Sequence, residues 1–368
     1  MEYVKSILMS GYYGFDNSGD DAILKAIVKD FRELNNDLNI IVLSNNPTKT
    51  EGMYPVKAVN RFKLREVLSA IKSTSMLISG GGSLLQDVTS TRSLWYYLGV
   101  MTIAKIYKKP VMIYANGIGP INKKVNRILT KFILNKVDLI TLRDENSKKY
   151  IKDMKVINKN IYVTADPVFT LDPAPKEIID NIFEKEGIPS EGNLIGISIR
   201  EWKKADHLED TIVKTINYLI NKYRVKIVLI PMHYPEDVDI CLNVIKSVNN
   251  DDCYILKEKY SVEEIMGVIK KLDLIIAMRL HSLIYAATQS VPMVGLVYDP
   301  KVEGILDSIG MKFMSNVESL SYEELISNID HVWNNKEEIK LELEKQDEKL
   351  KNMALRNISL ANEKLRQV

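Results

Sequence analysis

The sequence predicts an α/β protein built from two similar domains. Short apolar, β-branched segments recur along its 368 residues, and each is followed by a polar or glycine-rich turn and then by a segment with helical periodicity. This alternation is typical of βα units around a parallel sheet. A chain of this length, 46% hydrophobic, can bury two cores of ordinary domain size.

The first series of strands predicts a doubly wound, Rossmann-like domain over residues 1–171. Its strands are expected at residues 6–11, 39–44, 75–80, 110–117, 138–143 and 161–167. A helix is expected directly after the three glycines of "LISGGGSLLQD" at 77–87. The apolar segment 94–104 predicts a buried helix, because it is shorter than the roughly 18 residues of a membrane span.

A second Rossmann-like domain is predicted over residues 172–334. It begins with a polar stretch, 172–193, whose three prolines are typical of a domain junction. Ser261 and Glu264 form a capping box that predicts the start of a helix. The strands are expected at residues 194–200, 225–233, 253–256, 272–279 and 291–299.

Residues 335–368 predict one long helix that packs back across the domains. Its apolar residues recur at spacings of three, four and seven and therefore form one stripe: Leu343, Leu350, Ala354, Ile358, Ala361 and Leu365. Two Rossmann-like domains in series with such a helix predict a GT-B-like architecture. Ligands are expected in the cleft that the domains face, because they bind outside the carboxyl ends of parallel strands.

Composition excludes several function classes. A net charge of +2 gives no general reason for nucleic-acid binding. The four histidines lack zinc-ligand spacing, so no metal site is predicted, and GxGxxG and Walker A motifs are absent. Cys241 and Cys253 do not form a CxxC pair and no signal peptide is evident, so we expect buried cysteines and a cytoplasmic protein.

Unusual residues of the first domain follow its predicted strands. Gly80, Gly81 and Gly82 are bare either to form an anion-binding nest or to make a tight, packed turn, and the sequence leaves both interpretations open. Asn17, Asp20 and Asp21 can each cap the first helix, while their loop also has room for a sugar. Asn116 and Arg143 also lie at strand ends. The Arg143 side chain is expected to project beyond the sheet and bind an anion.

In the second domain, the sharpest motif is "MRLHS" at 278–282, directly after a predicted buried strand. It contains Arg279, His281 and Ser282, and Lys301 follows the very next strand. A histidine beside fixed cations is a candidate acid or base. Glu303 is expected to pair with a basic neighbour or to bind a ligand hydroxyl, and Arg200 and His233 also lie at strand ends.

A local excess of positive charge lies between residues 101 and 137, which contain seven lysines, one arginine and no acidic residue. Helical periodicity places four basic residues on one face, Lys123, Lys124, Arg127 and Lys131, with Val125, Ile128, Leu129 and Phe132 towards the other. Such a face is either a solvated surface or a contact with anionic lipid headgroups.

Taken together, these motifs resemble those of the polysaccharide pyruvyl transferases, in particular the bacterial enzymes that act on secondary cell-wall polymers for S-layer anchoring. The resemblance covers almost the whole chain. It rests on the order and spacing of "GYYGFDNSGDDAIL", "LISGGGSLLQD", "YANGIGP", "TLRDENS", "DPVF", "GISIR", "MRLHSLIYA" and "YDPKVEG".

The resemblance implies phosphoenolpyruvate as donor, no further cofactor, and ketal formation on an N-acetylmannosamine of a lipid-linked disaccharide at the inner face of the membrane. It places the functional arginine, histidine and lysine of the family at Arg143, His281 and Lys301. Because the donor carries two anionic groups, its expected ligands are Arg279, Ser282 and the glycines 80–82. Expected acceptor ligands are Asn17, Asp20, Asn116 and Glu303.

Two other functions remain open from the sequence. The same architecture carries glycosyltransferases that use nucleotide sugars, and competition by uridine nucleotides would distinguish them. A sugar-binding scaffold without turnover would form no product from any donor, and its ligand binding would not depend on His281.

Overall fold

The computed structural model describes residues 5–205 and 207–367 and divides the chain into two compact units. Unit 1 comprises Met1–Thr170 and Leu350–Val368, and unit 2 comprises Leu171–Lys349. The last helix of the chain therefore contributes residues to both units.

Unit 1 contains a sheet in the order β3-β2-β1-β4-β6-β7-β8, with β5 also paired to β6. Every pairing in it is parallel, as the βα alternation predicts. The strands are β1 (Ser6–Tyr13), β2 (Asn39–Ser44), β3 (Lys57–Asn60), β4 (Met76–Ser79), β5 (Gly82–Leu85), β6 (Val111–Ile118), β7 (Leu139–Leu142) and β8 (Ile161–Val163). The strand order reverses between β1 and β4, the position at which doubly wound sheets bind ligands.

The helices of unit 1 are α1 (Ser18–Leu34), α2 (Pro47–Met53), α3 (Leu64–Ser73), α4 (Thr91–Ile106), α5 (Lys124–Leu134) and α6 (Glu145–Asp153), followed by a 3-10 turn, Pro167–Thr170. The expected buried helix at 94–104 is α4, which buries six residues against the sheet. No helix in the described ranges is long and apolar enough to cross a bilayer.

Unit 2 contains a second all-parallel sheet, in the order β11-β10-β9-β12-β13-β14. Its strands are β9 (Leu194–Ser198), β10 (Lys226–Leu229), β11 (Cys253–Ile255), β12 (Leu274–Ala277), β13 (Met293–Val297) and β14 (Met314–Asn316). Here the order reverses between β9 and β12. The chain thus repeats one Rossmann-like arrangement twice.

The helices of unit 2 are α7 (Lys176–Glu186), α8 (Leu208–Tyr223), α9 (Glu236–Val248), α10 (Val262–Lys270), α11 (Leu280–Thr288), α12 (Pro300–Ser308) and α13 (Tyr322–Asn334). A 3-10 turn, Val317–Ser319, precedes α13. The predicted capping box is present at the start of α10, with Ser261 and Glu264 as its two members. Both cysteines are buried and unpaired, as expected.

The predicted C-terminal helix is α14 (Lys336–Arg366). All six residues of its predicted apolar stripe are at most 6% exposed. Within unit 1, Asn357 on this helix accepts a hydrogen bond from the Thr164 hydroxyl at 2.7 Å and donates one to the Ala165 carbonyl at 3.0 Å. The stripe therefore has the packing surface that its periodicity requires.

One prediction of local structure is wrong. The three glycines lead into the strand β5, and the next helix, α4, begins only at Thr91. The sequence "GSLLQD" is too short to distinguish a strand from a helical turn, and pairing with β6 decides the outcome. The strands β3, β5 and β14 were not predicted, because none of their sequences, KAVN, GSLL and MSN, is a continuous apolar, β-branched run.

On α5, the apolar face that the sequence identifies is not the face that packs against the rest of unit 1. The structure buries Asn126, Thr130, Ile133 and Leu134 instead. The side chains of Val125, Ile128, Leu129 and Phe132 are all exposed. The amphipathic period was correct, but the helix packs on a neighbouring face.

Candidate functional site

The carboxyl-end edge of the unit 2 sheet collects its chemically distinctive residues. Arg200 lies two residues beyond β9, and Arg279 and His281 follow β12. These two strands pair with each other at the point where the strand order reverses. Because loops diverge there, this is the position at which an open parallel sheet can hold a ligand.

Arg279 is held in a fixed orientation by Asp237 on α9. Its Nε donates to one carboxylate oxygen of Asp237 at 2.8 Å, and a short contact joins Nη2 to the other. Asp237 is 1% exposed and also accepts the backbone N–H groups of Met232 and His233 at 3.2 and 3.0 Å. The Arg279 side chain remains 12% exposed, so its guanidinium is oriented yet accessible.

Arg200 has a different environment, formed by aromatic rings. Its guanidinium carbon lies 5.8 Å from the Trp202 ring and 5.5 Å from the Tyr298 ring. Among the residues that the structure describes, none accepts a hydrogen bond from Arg200 Nε, and no carboxylate forms a salt bridge with this side chain. Arg200 is therefore a cation at the sheet edge whose charge is not neutralised by a carboxylate.

Both arginines line one pocket of about 500 Å³. Such a volume is typical of small-molecule sites. The lining residues are Arg200, Glu201, Trp202, Lys203, Lys204, His233, Glu236, Asp237 and Arg279. His281 and Lys301 do not contribute to this lining. Its four Lys and Arg residues outnumber its three Asp and Glu residues, one of which, Asp237, is already paired with Arg279, so the lining favours an anionic ligand.

His281 is the second residue of α11, so it sits in the helix's first turn, where N–H groups favour negative charge. It is partly exposed, and its ring centroid lies 6.3 Å from that of Tyr285. Ser282 is placed differently. It is fully buried, and its hydroxyl lies 2.8 Å from that of Ser198, so the contact joins the start of α11 to the end of β9.

Lys301 and Glu303 lie in the first turn of α12, after the neighbouring strand β13. The Lys301 ammonium is 3.6 Å from a carboxylate oxygen of Asp299 and 5.6 Å from the centroid of the Tyr298 ring. Asp299 also caps the helix by accepting the Lys301 N–H at 3.0 Å. Glu303 is exposed.

Arg143 is at the edge of the unit 1 sheet, but the structure does not leave it open as we expected. Its side chain is 0% exposed. Nη1 lies 3.1 Å from Asp166, Nη2 donates to the Ser83 hydroxyl at 3.0 Å, and the Asp144 carboxylate is 3.8 Å from Nε. A Cβ atom on Gly117 would lie 2.9 Å from Nη2, so the bare backbone makes room for this guanidinium.

Gly80, Gly81 and Gly82 are buried against side chains of unit 1. A Cβ atom on Gly80 would lie 1.9 Å from the Tyr13 hydroxyl oxygen, and one on Gly81 would lie 2.9 Å from Ile23. The Gly80 N–H already donates to the Ser10 carbonyl at 2.8 Å. Packing thus accounts for the missing side chains at Gly80 and Gly81, and an anion nest including Gly82 stays a prediction.

The expected acceptor residues of unit 1 hold local structure. Asn17 caps α1 by accepting the N–H groups of Gly19 and Asp20 at 3.1 and 3.3 Å. Asn116 is 0% exposed and donates to the carbonyls of Ser79, Gly80 and Tyr114. Asp20 is half-buried, and its carboxylate lies close to Gly82.

One cluster of unit 1 was missed by the sequence analysis. Arg61 is 6% exposed, and its guanidinium carbon lies within 4.4 to 5.6 Å of the rings of Phe15, Phe62, Tyr96 and Tyr97. It donates to the Gly11 carbonyl at 2.8 Å and so holds the end of β1. Burial raises the pKa of Tyr97 to about 12, although Arg61 acts in the opposite direction. Because β3 was not predicted, the strand-end position of Arg61 was not evident.

The structure therefore separates the predicted site residues into two sets. Unit 2 brings together Arg279, His281, Ser282, Lys301 and Glu303 at one sheet edge. Unit 1 brings together Asn17, Asp20, Asn116, Arg143 and the glycines 80–82. Within residues 5–205 and 207–367, no three His, Cys, Asp or Glu side chains are arranged as metal ligands.

Comparison with known proteins identifies the family. The model of the polysaccharide pyruvyl transferase family matches residues 17–300, which is more than half of the chain. The amylovoran biosynthesis protein AmsJ of Erwinia amylovora is 23% identical over 395 residues, covering 90% of this chain and 93% of that protein.

Solved structures with the same fold include Alr3699/HepE from Anabaena in complex with UDP and glucose, with a TM-score of 0.66, 11% identity, and coverage of 99% of this chain and 100% of that one. The UDP-GlcNAc 2-epimerase from Methanocaldococcus jannaschii has a TM-score of 0.64 and 16% identity, covering 89% and 92%. At these identities the likeness shows the fold alone. The predicted GT-B-like class, with two Rossmann-like domains and a C-terminal helix, is confirmed.

Proposed function

The chain belongs to the polysaccharide pyruvyl transferase family, and from this premise we propose that it transfers pyruvate from phosphoenolpyruvate to two hydroxyls of one sugar as a cyclic ketal. The observation that carries the proposal is the pocket at the switch point of unit 2, where Arg200 and Arg279 present cations to one space. No further cofactor takes part. The proposed acceptor is an N-acetylmannosamine of a lipid-linked cell-wall polymer precursor, of the S-layer-anchoring kind.

The donor is a small dianion or trianion, in which the carbon that carries the phosphate is bonded directly to the carboxylate. Arginine suits both anions because its planar fork donates two parallel hydrogen bonds. Arg279 is already oriented by Asp237, and Arg200 has a charge that no carboxylate of the described chain neutralises. We therefore assign phosphoenolpyruvate to the unit 2 edge, with the first turn of α11 contributing N–H groups.

The proposed reaction balances without an oxidant or metal. A proton adds to the methylene carbon of phosphoenolpyruvate. One sugar hydroxyl loses its proton, and its oxygen adds to the central carbon. The carbon–oxygen bond to phosphate then breaks, and the second hydroxyl closes the ketal and loses its proton. The two sugar hydroxyls release two protons in total. One balances the proton that converts the methylene group to a methyl group, and the other leaves with hydrogen phosphate.

His281 is the proposed acid and base in these steps, since an imidazole can both give and take a proton near neutral pH. Lys301 is proposed to balance the charge of the departing phosphate. Arg143 was expected to act on substrate directly, but its burial and its contacts with Asp166 and Ser83 support a positioning role. Glu303 is exposed and suits an acceptor hydroxyl, whereas Asn17 and Asn116 are already used to hold unit 1 loops.

The test is phosphate release from phosphoenolpyruvate, with and without a synthetic lipid-linked N-acetylmannosaminyl disaccharide. We expect acceptor-dependent release, reduced about 10²- to 10⁴-fold in His281→Ala because general acid–base catalysis contributes that much. The matched control is His207→Ala, since His207 is an exposed histidine of the same unit and should be dispensable.

Three outcomes would contradict the proposal. A folded protein that releases no phosphate with any member of a panel of sugar acceptors would not be a pyruvyl transferase of this kind. If uridine nucleotides bind and phosphoenolpyruvate does not compete with them, the chain would be a nucleotide-sugar glycosyltransferase. Ligand binding without any product, unaffected by His281→Ala, would instead indicate a scaffold.

A further inference from the structure

The helix α5 leaves a stripe of large apolar side chains uncovered. Val125, Ile128, Leu129 and Phe132 are 61%, 66%, 41% and 53% exposed. Their spacing of three, four and seven residues places them on one face of the helix. Scattered apolar residues are ordinary on a protein surface, but a contiguous stripe of four marks a contact surface.

Cations flank this stripe, and α5 itself carries no acidic residue. Lys124, Arg127 and Lys131 recur at spacings of three and seven, on the face next to the apolar one. The Lys136 ammonium lies 3.9 Å from the Phe132 ring centroid. Between residues 101 and 137 there are eight basic residues and no Asp or Glu. An apolar stripe beside a row of long cationic side chains is the pattern of helices that lie in a membrane interface.

An exposed tryptophan extends the same surface. Trp95 on α4 is 52% exposed, and its indole N–H donates to Asn126 of α5 at 2.8 Å. Asn126 is 1% exposed and in turn donates to the Asp87 carboxylate at 2.7 Å. The indole is thereby fixed beside α5. Tryptophan is enriched at the level of lipid headgroups because its ring is apolar and its N–H is polar.

We propose that this α5 surface, defined as Trp95, Lys124, Val125, Arg127, Ile128, Leu129, Lys131 and Phe132, docks on a lipid bilayer that carries anionic headgroups. The apolar stripe enters the boundary between headgroups and acyl chains, and the cations contact lipid phosphates. With 11 residues, α5 is about 16 Å long, so it lies on the bilayer and does not span it. The proposal stands on unit 1 alone and does not depend on the proposed function.

Charge complementarity favours lipid over a second copy of the chain as the occupant. A two-fold dimer would place the same surface of both copies in one interface. It would bring two rows of cations together without any acidic residue from this region to oppose them. Anionic headgroups supply the missing countercharge, at roughly 1 kcal/mol per basic residue.

The test is co-sedimentation with vesicles of phosphatidylcholine alone and of equal parts phosphatidylcholine and phosphatidylglycerol. We expect binding to the anionic vesicles, weakened by salt, and little binding to the neutral ones. Lys124→Glu/Lys131→Glu should lower the partition coefficient at least about thirtyfold, from two cations at about 1 kcal/mol each. The matched control is Lys345→Glu/Lys349→Glu on α14, which changes net charge equally at exposed positions and should still bind.

The apolar half of the surface is tested by Ile128→Ser/Phe132→Ser. Both side chains are exposed, so circular dichroism and the melting temperature should be unchanged while vesicle binding falls. The proposal would be overturned if the wild-type protein does not bind anionic vesicles. It would also be overturned if both surface variants bind those vesicles as strongly as the wild type does. A dimer in sedimentation velocity that the Ile128→Ser/Phe132→Ser variant abolishes would overturn it as well, because the occupant would then be a second copy.

Discussion

The arginines at the two sheet edges differ in how their charge is used. In unit 1, Arg143 is fully buried and its guanidinium is held by Asp166 and Ser83. In unit 2, Arg279 is oriented by one carboxylate but remains partly exposed, and the Arg200 guanidinium lies near the rings of Trp202 and Tyr298. Binding a ligand to a buried ion pair would require breaking that pair, which costs several kcal/mol. Position at a strand end is therefore not enough to identify a ligand-binding cation.

The largest expected effect is the loss of stability in Arg143→Ala. Removing one partner of a buried ion pair costs about 3–5 kcal/mol, because the Asp166 carboxylate stays buried without that countercharge. Urea denaturation measures this cost. Arg200→Ala is the matched variant at the other sheet edge, and its stability should change by less than about 1 kcal/mol.

The Arg200→Ala variant also tests the assignment of the donor site. Arg200→Ala should raise the KM for phosphoenolpyruvate about tenfold or more, since a charge-assisted hydrogen bond contributes about 1.5–3 kcal/mol. If Arg143→Ala remains as stable as the wild type while Arg200→Ala unfolds, the comparison between the two edges is wrong.

The next prediction concerns another buried charge of unit 1, the carboxyl group of Asp30. Asp30 in α1 is 2% exposed, and burial, reinforced by Glu33, raises its pKa to about 7. Between its usual range and pH 7 the folded chain keeps a proton that the unfolded chain loses. Stability should therefore fall as pH rises from about 4 to 7 and stay low above that.

Asp30→Asn should remove this fall and raise the free energy of unfolding at pH 8 by on the order of 2–4 kcal/mol. Urea titrations at several pH values measure it. Asp37→Asn, at an exposed position, should leave the profile unchanged within about 0.5 kcal/mol. A pH profile identical in wild type and Asp30→Asn would mean that burial does not hold the proton on Asp30.

The smallest expected effect concerns the glycines. Gly80→Ala should cost about 1–3 kcal/mol, because its methyl group would overlap the Tyr13 hydroxyl. Adding Tyr13→Phe removes that oxygen and leaves the nearest ring carbon at 3.1 Å, so most of the stability should return. Gly99→Ala, which meets no atom within 4 Å, is the control. An unchanged stability with weaker phosphoenolpyruvate binding would favour the anion nest.

Much of the fold was predictable because it depends on neighbours along the chain. The alternation of strands and helices, the capping box of Ser261 and Glu264, and the helix cap by Asn17 are local patterns, and all are present. The three missed strands, β3, β5 and β14, lack a continuous apolar, β-branched run, so pairing with a neighbouring strand, not their own propensity, places them in the sheets. At the candidate site, motif and strand-end position predicted Arg279, His281 and Lys301, and the structure places all three at the carboxyl-end edge of the unit 2 sheet.

The partners of those residues could not be read from the sequence. Asp237 orients Arg279 across 42 residues of chain, and Arg61 meets rings contributed by several separate segments. Sequence periodicity likewise identified the apolar face of α5 but could not tell whether another element covers it. Element types and amphipathic faces follow from the amino-acid sequence, because hydrogen bonding and side-chain periodicity act over a few residues. Which charges and apolar faces are covered depends on packing, because the covering segments are distant in sequence.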